Sequence, residues 1–318
     1  MMRRRSFLYG GLGAGLTSLA CQGRALAQMM GTDSDPAALG YKKLGTVLST
    51  PEGRLISMDS LLFMDDDRIT TNDVVVAGSY CGAATLPHAT RKGVKAVIAH
   101  DAGIGKDEAG VSALAAGDEH GMPVVAVAGM SASISNGNSM ALGTISRANR
   151  LARELGVKPG QSITEAGALL LKAPAGKPNA LAIPFDKKVY EMDRVGEGRI
   201  FASSALTNLP PGQDYSKDVI AWGAHSGAVV EDLMAKWRVK GWIGNDAGMA
   251  KNNTGIGGLP PSNALGIAAA AVSTMSARIG DGMSTYSEGV ISAVNDVASA
   301  KGVRVGMKTP EALRLMIR

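Results

Sequence analysis

Short apolar runs alternate with glycine-rich polar clusters along this chain. Asp73-Val74-Val75-Val76-Ala77 ends at Gly78, Val94–Ala99 stops at His100-Asp101-Ala102-Gly103, and Pro123–Val127 follows. Uninterrupted apolar runs of this length predict strands buried on both faces. Between them, Ala83–Lys92 and Gly110–Glu119 read as helices, and Ser139–Leu155 as a long amphipathic helix closed by Gly156. Later strands are expected near Val219–Trp222, Val239–Ile243 and Ile267–Val272, with a second long helix over Thr285–Lys301. Leu55–Met58 and Ile200–Ala202 add one strand to each set. Strands alternating with helices predict an α/β fold with mainly parallel sheets.

The pattern occurs twice. Asp101-Ala102-Gly103-Ile104-Gly105-Lys106 returns 145 positions later as Asp246-Ala247-Gly248-Met249-Ala250-Lys251. Gly53-Arg54 matches Gly198-Arg199, and Met130-Ser131-Ala132 matches Met275-Ser276-Ala277. After one inserted residue, Ile145-Ser146, Asn149 and Gly156-Val157 match Ile291-Ser292, Asn295 and Gly302-Val303. The expected organisation is two homologous βαβαβ-type repeats in a pseudo-two-fold relation, with any site built from equivalent loops of both. The boundaries read as a signal over 1–27, an arm over 28–52, a first repeat over 53–172, a linker over 173–197 and a second repeat over 198–318. Leu181–Ile183 reads as a strand crossing between the repeats.

The start of the chain changes the electrostatic picture. Arg3-Arg4-Arg5 opens a basic region, Phe7–Ala20 is apolar, and Ala25-Leu26-Ala27 is a small-residue cleavage signature before Gln28. Arg4-Arg5-Ser6-Phe7-Leu8 resembles the twin-arginine export signal. The resemblance covers the signal only, and it implies delivery of an already folded protein through the export machinery to the periplasm or beyond. An ordinary secretory signal, or a lipid anchor at Cys21, are the other readings of the same residues. The segment removes four arginines, so the remaining chain carries 29 basic against 28 acidic side chains. A nearly neutral chain without basic-aromatic interleaving argues against nucleic acid. No stretch beyond the signal is long and uncharged enough to span a bilayer. Cys81 is then the one cysteine left, so no intramolecular disulfide forms.

Candidate chemistry falls on loops at the carboxyl ends of the expected strands, where parallel α/β folds bind ligands. Gly78, Gly82, Gly223 and Gly227 make loops that permit close approach, with free N–H groups at the next helix. Asp101 and Asp246, each followed by a lysine at Lys106 and Lys251, are candidates to orient substrate or exchange protons. His225 beside Ser226 suggests acid/base or nucleophilic work. Cys81 is a candidate thiolate at a helix start. Arg278 offers a planar fork for a carboxylate, and Ser131 and Ser276 lie on matching loops. Asp101, Asp246, His100 and His225 are the residues to which a metal reading would turn, although no His/Cys spacing points to one and no motif specifies a cofactor. The sequence-level expectation is an exported hydrolase or lyase acting on a small polar or anionic molecule. A small-ligand-binding protein without turnover, and a structural module forming a homo-oligomer, are the alternatives. The duplicated body resembles no characterised family.

Overall fold

The structure, a computed structural model, describes residues 44–180, 186–228 and 230–318. The export signal, the arm up to residue 43 and the expected strand at Leu181–Ile183 lie outside the described residues.

The protein is α/β, with two six-stranded mixed sheets. The first sheet comprises β1 (Leu44–Thr50), β2 (Gly53–Met58), β3 (Val74–Tyr80), β4 (Ala96–His100), β5 (Val124–Val127) and β6 (Ile145–Ala148), hydrogen-bonded in that order. Strands β2 to β5 run parallel, while β1 and β6 pair antiparallel at the edges. The second sheet repeats this order and orientation with β7 (Val189–Val195), β8 (Gly198–Ser203), β9 (Val219–His225), β10 (Gly241–Asn245), β11 (Ala268–Val272) and β12 (Ile291–Val294).

Central strands bury both faces, as their unbroken apolar runs require. Val74 and Val76 face a layer formed by α3 (Gly137–Ala141), α4 (Arg150–Glu154) and α5 (Ile163–Leu170). Val75 and Ala77 face the opposite layer, which holds α1 (Leu86–Lys92) and α2 (Ala113–Glu119). In the second sheet, Ile220 and Trp222 pack under α6 (Val230–Trp237) and α7 (Leu259–Ala264). Val219 and Ala221 pack on the other face with α9 (Asp296–Ala300) and α10 (Thr309–Met316), beyond α8 (Gly282–Ser287).

Three corrections to the expected elements follow. Ser139–Leu155 is not one helix but α3, β6 and α4. Gly143 interrupts it, Thr144-Ile145 favour a strand, and Asn149 restarts a helix by accepting the Ala152 N–H at 3.0 Å. Thr285–Lys301 divides in the same way into the end of α8, then β12 and α9, with Asn295 as the cap. The segments read as arm and linker carry edge strands, β1 and β7, each a hairpin partner of the following strand.

Several recurring residues have structural work. Arg54 reaches Asp73 at 2.9 Å, and Arg199 reaches Asp218, so each pair ties the starts of two neighbouring strands. Asn149 also accepts from Val124 N and donates to Met122 O, and Asn295 makes the same bonds to Ala269 N and Ile267 O. Both asparagines are buried, and each spends its side-chain hydrogen bonds on backbone groups.

Candidate functional site

The carboxyl ends of the two parallel sets meet each other. After β4 the chain passes through Ala102, Gly103, Ile104 and Gly105, all with positive φ; after β10 it passes through Ala247, Gly248, Met249 and Ala250, also all positive. Left-handed backbone at alanine, isoleucine or methionine persists only where surroundings enforce it. Here the surroundings are the opposite half. A Cβ on Gly103 would lie 2.9 Å from the Gly248 Cα. The Lys106 N–H donates to Thr274 O at 2.8 Å, and the Lys251 N–H donates to Gly129 O at 2.9 Å. The Thr274 hydroxyl donates to Ala102 O at 3.2 Å. Ala102, Ile134, Ala247, Ala250 and Ile279 form a buried apolar cluster at the contact, with Tyr80 against it.

Asp101 and Asp246 anchor these loops. The Asp101 Oδ1 accepts the N–H groups of Gly103 and Gly129 at 3.0 and 2.9 Å; the Asp246 Oδ1 accepts those of Gly248 and Thr274, both at 2.9 Å. Their recurrence is therefore explained by loop geometry. Ser131 and Ser276 hold their own turns, each donating to a carbonyl three residues back and accepting from the N–H of Thr144 or Val290. The Lys106 ammonium lies 3.3 Å from Glu288, which also meets Arg278 at 3.4 Å. Arg278 reaches Asp107 of the other half at 3.0 Å and Asp281 at 3.3 Å, so its fork is engaged by carboxylates of the protein. Lys251 is exposed.

Cys81 corrects the thiolate expectation on physical grounds. It is fully buried in the first core, and burial, with Asp101 nearby, pushes its thiol well above the ordinary range. A reactive cysteine needs the opposite environment. Ser226 occupies the matching place in the second half. It is fully buried, and its hydroxyl has no hydrogen-bond partner.

A cleft of about 580 Å³ opens between the halves. Of the candidate residues, it takes in His225 and Gly78. Gly223, the counterpart of Gly78, packs against the loop at Asp281, while Gly82 and Gly227 sit close to the rings of Tyr80 and His225. The lining draws on corresponding positions of the two halves. Ser60 and Ala205, Ser79 and Ala224, Tyr80 and His225, and Ser135 and Gly280 are pairs separated by 145 residues. Tyr80 ends β3, and His225 ends β9.

Nδ1 of His225 accepts the Gly227 N–H at 3.1 Å, which leaves the ring proton on Nε2. Burial, with His100 nearby, pushes its pKa down to about 4, so the ring is neutral near pH 7. Tyr80 is pushed up to about 12, mainly by burial, and stays a neutral phenol. Ser135 stands beside His225 with a left-handed backbone, φ 62°.

Sequence reasoning missed Ser60, Thr85, Arg91, Ser135, Trp222 and Leu233 in this lining. Trp222 lies inside a strand, and Thr85, Arg91 and Leu233 lie in or beside helices. Only the packing of one half on the other turns them to a common space. The 145-residue offset was the one usable signal, applied to whole elements rather than to loops alone. Among the described residues, no group of three or more His, Cys, Asp or Glu side chains stands together as a metal site. Among them, too, no helix is long and apolar enough to cross a membrane. No family model matches this chain, and neither a curated protein nor a solved structure does.

Proposed function

We propose that the protein arose by duplication of one α/β unit, and that its two copies, related by an approximate two-fold, bind a small organic molecule in the cleft between them. The observation carrying this is the cleft lining, in which corresponding positions of both halves converge around a set of polar groups. A concave, mainly apolar space with a few polar groups suits a small ligand. The export reading of residues 1–27 belongs to the same proposal and would put the site to work outside the cytoplasm. A thermal-shift screen of small molecules tests it. Ligands should raise the melting temperature, and Ala224→Phe, which projects a ring into the cleft, should abolish that rise. A screen without hits, or hits indifferent to Ala224→Phe, would overturn the site.

A hydrolase reading has one observation in its favour. Ser135, held in a left-handed conformation, stands beside a neutral His225 at the same cleft. For nucleophilic chemistry the His225 Nδ1 would have to release the Gly227 N–H before it could take the Ser135 proton. On this reading a small ester should be turned over, and Ser135→Ala should lower the rate at least ~100-fold. Unchanged turnover in Ser135→Ala would assign the cleft to binding alone.

A further inference from the structure

The two walls of the cleft differ in chemistry at matching positions. Where the first half presents Ser60 and Ser79, the second presents Ala205 and Ala224. Where the first presents Thr85 and His88, the second presents Val230 and Leu233. Leu62 against Thr207 is a pair that runs the other way. Leu206 and Trp222, both almost fully buried, lie behind that side. Trp222 is held rigidly there, stacked on Trp242 with ring centroids 4.7 Å apart and planes 14° from parallel.

Charge on the lining is unequal. Arg91 and Lys187 face one carboxylate, Asp59, whose Oδ1 already accepts the Gly137 N–H at 2.8 Å. His88 and His225 are neutral near pH 7, lowered chiefly by burial, so the lining carries a single net positive charge. An Arg91 Nη2 lies 3.3 Å from the His88 Nδ1. Arginine can only donate, so Nδ1 accepts and the ring proton sits on Nε2. The guanidinium and the Nε2–H are then two donors on the polar wall. The exposed pair between Arg91 and Asp65, at 3.8 Å, is too long and too solvated to compete strongly with a bound anion.

Resting on the cleft reading above, we propose that the ligand is a small amphipathic monocarboxylate. Its carboxylate lies against Arg91 and His88 of the first half, and its aromatic or branched aliphatic body against Ala224 and Leu233 of the second. One net charge on the lining matches one carboxylate. A dicarboxylate would bring two charges to a lining with one net positive charge, and its second carboxylate would have to compete with Asp59 for Lys187.

The test uses phenylacetate, 4-methylpentanoate, phenylacetamide and succinate, titrated against the protein by tryptophan fluorescence and thermal shift. Both monocarboxylates should bind, with phenylacetamide and succinate weaker by about tenfold or more, as expected for loss of a charge-assisted contact or for a misplaced charge. Arg91 is exposed, so Arg91→Gln leaves the fold intact; it should weaken phenylacetate about five- to tenfold and leave phenylacetamide unchanged. Leu233→Ser should weaken both. Phenylacetamide binding as tightly as phenylacetate, succinate binding more tightly, or acid binding indifferent to Arg91→Gln would each overturn the ligand class. So would failure of all four probes when the wider screen finds other ligands of the cleft. Failure of the probes and of the screen together would remove the site itself.

Discussion

His100 and Asn245 stand at corresponding places and make the same two bonds with different chemistry. The His100 Nδ1 accepts the Ala102 N–H at 2.9 Å, and its Nε2 faces Ala132 O at 3.2 Å. The Asn245 Oδ1 accepts the Ala247 N–H at 2.9 Å, and its Nδ2 donates to Ala277 O at 3.1 Å. Both side chains are fully buried. His100→Asn should therefore cost ~1 kcal/mol or less, while His100→Ala, which orphans the buried Ala102 N–H and empties a core position, should cost about 3 kcal/mol, read from denaturant unfolding. The unpaired Ser226 hydroxyl suggests a complementary gain: Ser226→Ala should stabilise by about 1 kcal/mol. Acid should expose the neutral histidines. His225 titrates at 6.5 when unfolded and at about 4 when folded, so between those values the unfolded chain takes a proton that the folded chain refuses. Stability should be intact above pH 6.5 and fall as pH drops toward 4, by at most ~1.4 kcal/mol per pH unit for one such ring. Burial lowers His100 as well and acts in the same direction. His225→Gln should flatten the curve; a wild-type stability that is level between pH 7 and 4.5 would contradict this account.

At the scale of elements, the left-handed loops after β4 and β10 carry the contact between the halves. Gly105 has φ 73° and ψ −173°, a region almost reserved for glycine, yet Ala250 holds the matching place at φ 57°, ψ 173°. A methyl on Gly105 would meet the Thr274 Oγ1 at 2.5 Å and its carbonyl oxygen at 2.9 Å. Gly105→Ala should thus cost ~2 kcal/mol or more, from backbone strain plus a displaced partner loop. A melting temperature unchanged in that variant would show that the loops yield freely. Much of the element plan was legible beforehand, because runs such as Val74–Ala77 are apolar at every position and announce buried strands. The antiparallel edges were not legible. Ile145–Ala148 and Ile291–Val294 are four residues long and lie among good helix formers, so helical periodicity carried across them. The site was legible in part. His225 and Gly78 end or interrupt strands and could be placed, whereas Arg91 and Leu233 gain meaning from a facing half whose orientation no local pattern encodes. Recurrence alone could not assign a role to the aspartates, because a turn that needs a carboxylate anchor is repeated as faithfully as a catalytic group would be.

At the scale of the whole molecule, backbone contacts between the halves recur on both sides, while charged ones do not. Lys106 N–H to Thr274 O is matched by Lys251 N–H to Gly129 O, but the cluster of Arg278 with Asp107, Asp281 and Glu288 has Ser133, Asn252, Asn136 and Leu142 at the corresponding places. Since the central apolar cluster draws on both halves, residues 44–180 and 186–318 produced together as separate chains should copurify. Each alone should show lower protection from proteolysis than in the pair; a 44–180 fragment as resistant by itself as in the pair would contradict that dependence. The stack of Trp222 on Trp242 has an optical consequence. Two indoles this close couple their excited states, so the second half should carry an exciton signal in circular dichroism whose size depends on the angle between their transition dipoles. Its loss on unfolding would report that half alone, and its distortion would register an occupant of the cleft without any added dye.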